Sequence, residues 1–261
     1  MKASIYKITA VFGFIIFSLN QSSGQKFTLG LLGGAHGYKV SFEDKDDRDE
    51  FDSKLKFGYR LGAYISFPLE NKFSWSTELY YSKKGRKLEQ LPEGFINNAN
   101  YTFIETSVLL RKAYNLKLIP GLEGNWFFNV GPNVNYWLNG TGTIDAAVDL
   151  DYTVKFEEGA GDLENNYIVD GKRWLFGLEI GAGVEAPVAK NQNVQIELRF
   201  TLGQTFLGTK DGSIPVNDFQ VDDNLRSNYR VLSLILRYGI DLDIMSSRKG
   251  KSTIKRSNRR R

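Results

Sequence analysis

Cysteine is absent from the 261 residues, histidine occurs once and proline six times. The absence of cysteine excludes disulfides, thiolate zinc sites, cysteine nucleophiles and a lipid-modified cysteine anchor. Long apolar runs are equally scarce. The one present, Ile8 to Leu19, is twelve residues, whereas a spanning helix needs about 20. Lys2 and Lys7 precede this run, and Asn20-Gln21-Ser22-Ser23-Gly24 follows it. A basic start, a short apolar stretch and small residues predict a secretory signal peptide over 1–24, cut near Gln25. The alternative, a membrane anchor, is disfavoured by the length. A mature chain with no apolar helix can sit in a membrane only as a closed β-barrel.

The formal net charge of +4 conceals an asymmetry. The segment 248–261 holds Arg248, Lys249, Lys251, Lys255, Arg256, Arg259, Arg260 and Arg261 and no acid. Without those eight and without Lys2 and Lys7, 24 basic residues face 30 acidic ones, a balance of −6. The sequence therefore divides into a signal peptide (1–24), an acidic body (25–247) and a basic C-terminal tail (248–261), the last expected to be disordered.

From Gln25 onward the dominant period is two, the signature of strands. Apolar residues alternate with polar ones in six segments: Phe57 to Phe67, Phe73 to Tyr81, Trp126 to Leu138, Trp174 to Val184, Val194 to Leu202 and Leu232 to Leu242. A first strand near Lys26–Phe42 is interrupted by Gly30, Gly33, Gly34 and Gly37, and a fourth runs from about Tyr101 to Tyr114. Short connections (70–72, 187–193) and an intermediate one (115–124) follow even strands. Long polar segments near 43–54, 86–100, 140–173 and 205–229 follow odd ones. Turns at one end and loops at the other predict an eight-stranded antiparallel up-and-down transmembrane β-barrel of the outer-membrane kind. Ten strands become the alternative if the alternating run from Val148 to Phe156 crosses the membrane with a partner.

A soluble ligand-binding barrel also alternates, with its apolar face inward. Three features favour the membrane. The apolar face of the six clean segments carries no charge, where each would cost about 2–4 kcal/mol in mid-bilayer. Trp75, Trp126, Trp174, Tyr59, Tyr81 and Tyr136 lie on it, several near strand ends as in an aromatic girdle. The opposite face is rich in glycine, as a cramped lumen requires.

That opposite face also carries Glu78, Glu105, Glu179 and Glu197 against Arg60, Arg111, Arg199 and Arg237. Eight strands enclose a space that side chains just fill, and buried charges persist only when paired. The expectation is an Arg–carboxylate network that plugs the lumen, with a charged conduction path as the alternative. No metal site, cofactor or catalytic residue is expected. The single His36 has Ser41 and Asp44 near it in sequence, but no spacing marks an acyl-transfer site, and a structural histidine is the better reading. The acidic segment Glu43 to Asp52 lacks the residue order of a calcium loop and reads as a solvated loop. For the tail, export excludes nucleic acid. The remaining candidates are a periplasmic protein, a cell-wall polymer or a phospholipid surface, besides no ligand at all.

Several stretches resemble the outer-membrane barrel family called PorT-like, widespread in Bacteroidetes. They are Gly30-Leu31-Leu32-Gly33-Gly34, Phe57-Gly58-Tyr59-Arg60-Leu61-Gly62, Tyr101-Thr102-Phe103-Ile104-Glu105, Asn129-Val130-Gly131-Pro132, Gly177 to Glu185, and Ile196-Glu197-Leu198-Arg199-Phe200. The likeness covers about 26–243. It implies the barrel fold and a porin-like class. Some relatives belong to the type IX secretion and gliding apparatus, so it also raises a role in a secretion or surface assembly. Two functions are thus carried forward: a structural or interaction barrel in contact with outer-membrane lipids, and a small-solute porin or channel. An enzyme is not expected.

Overall fold

A computed structural model describes residues 26–90, 96–119, 122–145, 150–156, 166–168, 171–209, 212–216 and 219–243. The expected signal peptide, the start of the Val148 run and the basic tail lie outside them. Eight long strands dominate: β1 (Lys26–Phe42), β2 (Lys56–Pro68), β3 (Phe73–Gln90), β4 (Ile96–Ile119), β5 (Leu122–Asp145), β6 (Trp174–Ala189), β7 (Gln192–Gly203) and β8 (Ser227–Asp243). Each pairs antiparallel with the next, and β8 pairs with β1. The ring is therefore closed at eight. Closure leaves no free edge, so each strand finds backbone partners on both sides at membrane depth.

The register defines the width. From Gly30, successive partners are Tyr64, Glu78, Ser107, Asn133, Gly177 and Gly203. Gly203 lies one residue past the pair Leu202–Arg230, hence beside Tyr229, which faces Val40. One circuit climbs ten residues of β1. Eight strands with this stagger are tilted and enclose only enough room for side chains.

The two faces sort as their alternation requires. Leu31 (68% exposed), Phe57 (77%) and Leu234 (57%) point outward, while Glu78 and Arg199 are fully buried inside. A soluble barrel would reverse this, and a contiguous outer belt of large apolar side chains is intolerable in water. The belt is bounded by aromatics. At the turn end lie Trp75, Tyr114, Trp126 and Tyr238, with the Tyr114 and Trp126 rings stacked at 4.5 Å. At the other end are Tyr59, Tyr81 and the Tyr136–Trp174 pair at 4.8 Å. The glycine-broken β1 is a continuous strand, because its neighbours supply both ladders.

Two expectations need correction. The link 115–124 is largely strand: pairing runs on to Ile119–Leu122. Residues 86–90, 96–100 and 140–145 are strand, not loop. β4 and β5 span 24 residues each, against roughly 9–11 needed to cross hydrocarbon. The surplus rises beyond the loop-end aromatics, where polar residues on both faces hide a strand from an apolar-alternation test. Leu150–Lys155 extends this arm by pairing with β5, and Asn166–Ile168 adds in parallel. The acidic segment forms a short helix α1 (Lys45–Glu50) and a strand, Phe51–Ser53, that pairs with β3.

The arms enclose a second core. Tyr101 and Trp137 (ring centroids 4.3 Å apart), Phe103, Tyr152, Val154, Leu207, Leu225 and Tyr229 are all buried together. A bulge creates part of it. Thr102 pairs with Asn139 but Phe103 with Trp137, so Leu138 is extra. Up to Trp137 the odd residues of β5 face inward; beyond the bulge Gly140, Gly142 and Ile144 do. A bulged residue shifts the alternation by one.

Candidate functional site: the closed lumen

All eight residues expected in the lumen network face inward and are buried. They form three charge-balanced sets at different heights. The middle set is centred on Arg199 of β7. Its Nε donates to Glu197 Oε1 at 2.5 Å, its Nη1 to Glu78 Oε2 at 2.7 Å and Glu179 Oε2 at 3.0 Å. Its Nη2 donates to Glu78 Oε1 at 3.1 Å and Glu197 Oε2 at 3.0 Å. Arg237 bridges Glu78 and Glu197, the latter at 2.7 Å, and Arg60 reaches Glu179 at 3.3 Å. Three guanidiniums thus meet three carboxylates drawn from β2, β3, β6, β7 and β8. Such planar forks match carboxylates two bonds at a time.

Neutral groups complete the middle set. Tyr80 Oη donates to Glu179 at 3.1 Å and shares a 2.7 Å hydrogen bond with Ser107 Oγ. Thr201 Oγ1 donates to Glu179 at 3.0 Å, and Asn133 Nδ2 donates to Tyr80 and Ser107. The guanidiniums of Arg60 and Arg237 also lie over the rings of Tyr80 and Tyr64, at 4.7 and 5.3 Å. Glycine makes the room: a Cβ on Gly181 would collide with the Glu197 carboxylate and Asn129 Oδ1.

The other two expected residues pair elsewhere. Glu105 takes Lys84 at 2.6 Å, and Lys84 also donates to Asn135 at 3.1 Å and lies over the rings of Phe103 and Tyr229. Arg111, near the turn end, pairs with Glu185, donates to Gln195 at 2.9 Å and covers Phe127 at 3.6 Å. The single four-by-four network is therefore corrected to three stacked sets. Stagger decides this: residues of matching charge on distant strands meet only if the tilt brings them level. Lys84 and Glu185 both lie on the inward parity of their strands, the signal by which sequence could have found them.

Along the barrel axis, the ladder of charge is closed at the loop end by the aromatic core described above. At the turn end a cavity of about 480 Å³ opens, lined in part by Lys117, Glu123, Glu185, Lys190 and Asp241. His36 is buried, with Nε2 2.9 Å from the Lys83 carbonyl oxygen and its ring edge-on to Tyr38. Ser41 lies on the opposite parity of β1, so the two do not converge on a reacting atom. Glu43 pairs with Arg226 at 2.7 Å, and Asp47 of α1 is buried.

The model for the outer membrane protein β-barrel domain matches residues 19–205. Similar solved structures include the attachment invasion locus protein Ail of Yersinia pestis, at 11% identity and a TM-score of 0.36, covering 85% of this chain and all of that one. OprG of Pseudomonas aeruginosa is similar at 8% identity and a TM-score of 0.47, covering 85% and 97%. Neisserial surface protein A is similar at 11% identity and a TM-score of 0.36, covering 80% and 95%. No protein of curated function matches the sequence. A closed ring of eight strands, an apolar belt between aromatic rows and a family match over most of its length make the chain a member of the outer membrane protein β-barrel domain family, resident in the outer membrane.

Proposed function

We propose that the protein is a non-conducting, non-enzymatic outer-membrane barrel whose work is done at its rims and arms, as a structural or interaction component of a surface or secretion assembly. The observation that carries this reading is the filled lumen. Arg199 ties together carboxylates from β3, β6 and β7 across the barrel's centre, and the aromatic core stands above it. A conduction path needs mobile water along the axis, and interlocked charge pairs with an apolar lid oppose that. Interaction is favoured by the arms. Their surplus length builds a packed structure beyond the membrane, with far more organisation than a tether needs. The PorT-like likeness supports placement in such an assembly.

Planar-bilayer recording of the refolded full chain tests this. The expected outcome is no stable step in conductance. Steady, voltage-tolerant openings of uniform size would overturn the proposal in favour of a small-solute channel.

A further inference from the structure

The two ends of the β1–β8 ladder are charged differently. At the turn end Lys26 stands opposite Asp243, a complementary pair. At the loop end Lys39 stands opposite Arg230, two cations face to face. Directly opposed residues have Cβ atoms about 4.5–5.5 Å apart, and like charges there are destabilising. Both side chains are exposed and on the lipid-facing parity. Among the described residues no carboxylate is ion-paired to either, and Asp52 attracts Lys39 only at longer range. On β7, Arg230 faces Leu202, and along their own strands the flanking outward residues are Gly37, Ser41, Asn228 and Leu232. The nearby carboxylate of Asp52 is held by Lys54 at 2.6 Å.

A third cation lies near the same margin. Lys83 of β3 points outward and exposed, with Tyr59 and Thr102 as its cross-strand neighbours. Among the described residues, no carboxylate is ion-paired to Lys39, Lys83 or Arg230. All three sit at the loop-end aromatic margin, Lys83 directly opposite Tyr59, where the apolar belt ends. A phosphate carried by a bilayer lipid occupies this depth. Its diffuse acyl chains would lie against Leu232 and Leu234 below.

We propose that Lys39 and Arg230 form a binding site for the phosphate of an anionic lipid at the outer rim, one whose charge is not already balanced by a choline of its own, with Lys83 as a further cationic contact on the same rim. A phosphate between the two cations converts the repulsive pair into a bridge. Charge-assisted bonds to a phosphate are among the stronger hydrogen bonds, and arginine can make two. The site commits to an anion delivered by the membrane, because the outward faces of β1 and β8 are covered by lipid up to this margin.

The test uses the full chain refolded into two vesicle types: phosphatidylcholine alone, and phosphatidylcholine with a minority of phosphatidic acid. Urea midpoints are compared for the parent, Lys39→Gln, Lys39→Arg and, as a remote exposed cation, Lys45→Gln of α1. In phosphatidylcholine alone, Lys39→Gln should raise the folding equilibrium, by up to roughly fivefold, because it removes a like-charge pair. In phosphatidic-acid vesicles the same substitution should lower it, while Lys39→Arg and Lys45→Gln stay near the parent. A crossover of sign is the signature. The proposal fails if Lys39→Gln shifts both vesicle types the same way. It fails equally if Lys45→Gln reproduces the shift, which is general surface attraction. A gain from inorganic phosphate over phosphatidylcholine vesicles that equals the gain from phosphatidic acid would overturn the lipid as source.

Discussion

Arg199 can be removed in a way that separates the net value of the lumen network from the cost of breaking it. Replacing it with methionine, which keeps much of the volume, deletes five hydrogen bonds to Glu78, Glu179 and Glu197. Three buried carboxylates then face two guanidiniums, Arg60 and Arg237, so one negative charge is left uncompensated. Breaking a buried pair from one side costs about 3–5 kcal/mol, or roughly two to four orders of magnitude in the folding equilibrium. Pairing Arg199→Met with Glu197→Gln restores the balance of charge. A buried ion pair exchanged for neutral groups of similar volume is often close to neutral in energy. The double variant should therefore recover at least half of the loss. Urea titration in lipid vesicles reads both, through the fluorescence of the lipid-facing Trp75, Trp126 and Trp174. If the single substitution costs less than about 1 kcal/mol, or if the double loses the sum of the two singles, the charge-balance account of the lumen is wrong.

Two smaller predictions complete the set of tests. Leu234→Arg places a charge on the outer belt and should cost about 2–4 kcal/mol, measured by the same titration; a cost near zero would deny that this face meets lipid. Beyond the membrane, the hydrogen bond from Lys54 holds the Asp52 carboxyl below its usual range. That interaction stabilises the Phe51–Ser53 strand at pH values above the ordinary carboxylate pKa and is lost as pH falls through the depressed one. A carbon-detected NMR titration should find Asp52 moving below 3.8, and returning toward it in Lys54→Met.

Much of the barrel was legible because lipid is an unforgiving solvent. The outward positions of β2, β6, β7 and β8 could take only apolar residues, so period two was written plainly into Phe57 to Phe67 and Leu232 to Leu242. The inward set was legible for the same reason, since Arg60, Glu78, Glu179, Glu197, Arg199 and Arg237 stood on the only parity left. Which acid met which base was not legible. That depends on the stagger accumulated around the ring, which aligns Arg199 with Glu78 and leaves Glu105 to Lys84. The arms were hidden too. Beyond the aromatic row both faces meet water or each other, so residues such as Asn98, Asn100 and Thr141 carry no solvent signal. Trp137 read as the odd neighbour of an outward Tyr136, with nothing to mark it as the centre of a core.

The bulge at Leu138 gives the arm its own arithmetic. Below it, lipid fixes which residues face out. Above it, the count restarts, and Gly140, Gly142 and Ile144 take the inner side that the odd residues held before. Inserting or deleting a pair of residues above the bulge would lengthen or shorten the arm while each later side chain kept its face. A single residue would turn Ile144 out to solvent and put its polar neighbours into the aromatic core. The membrane part and the exposed part of one continuous strand can therefore diverge independently, provided the exposed part changes in even steps.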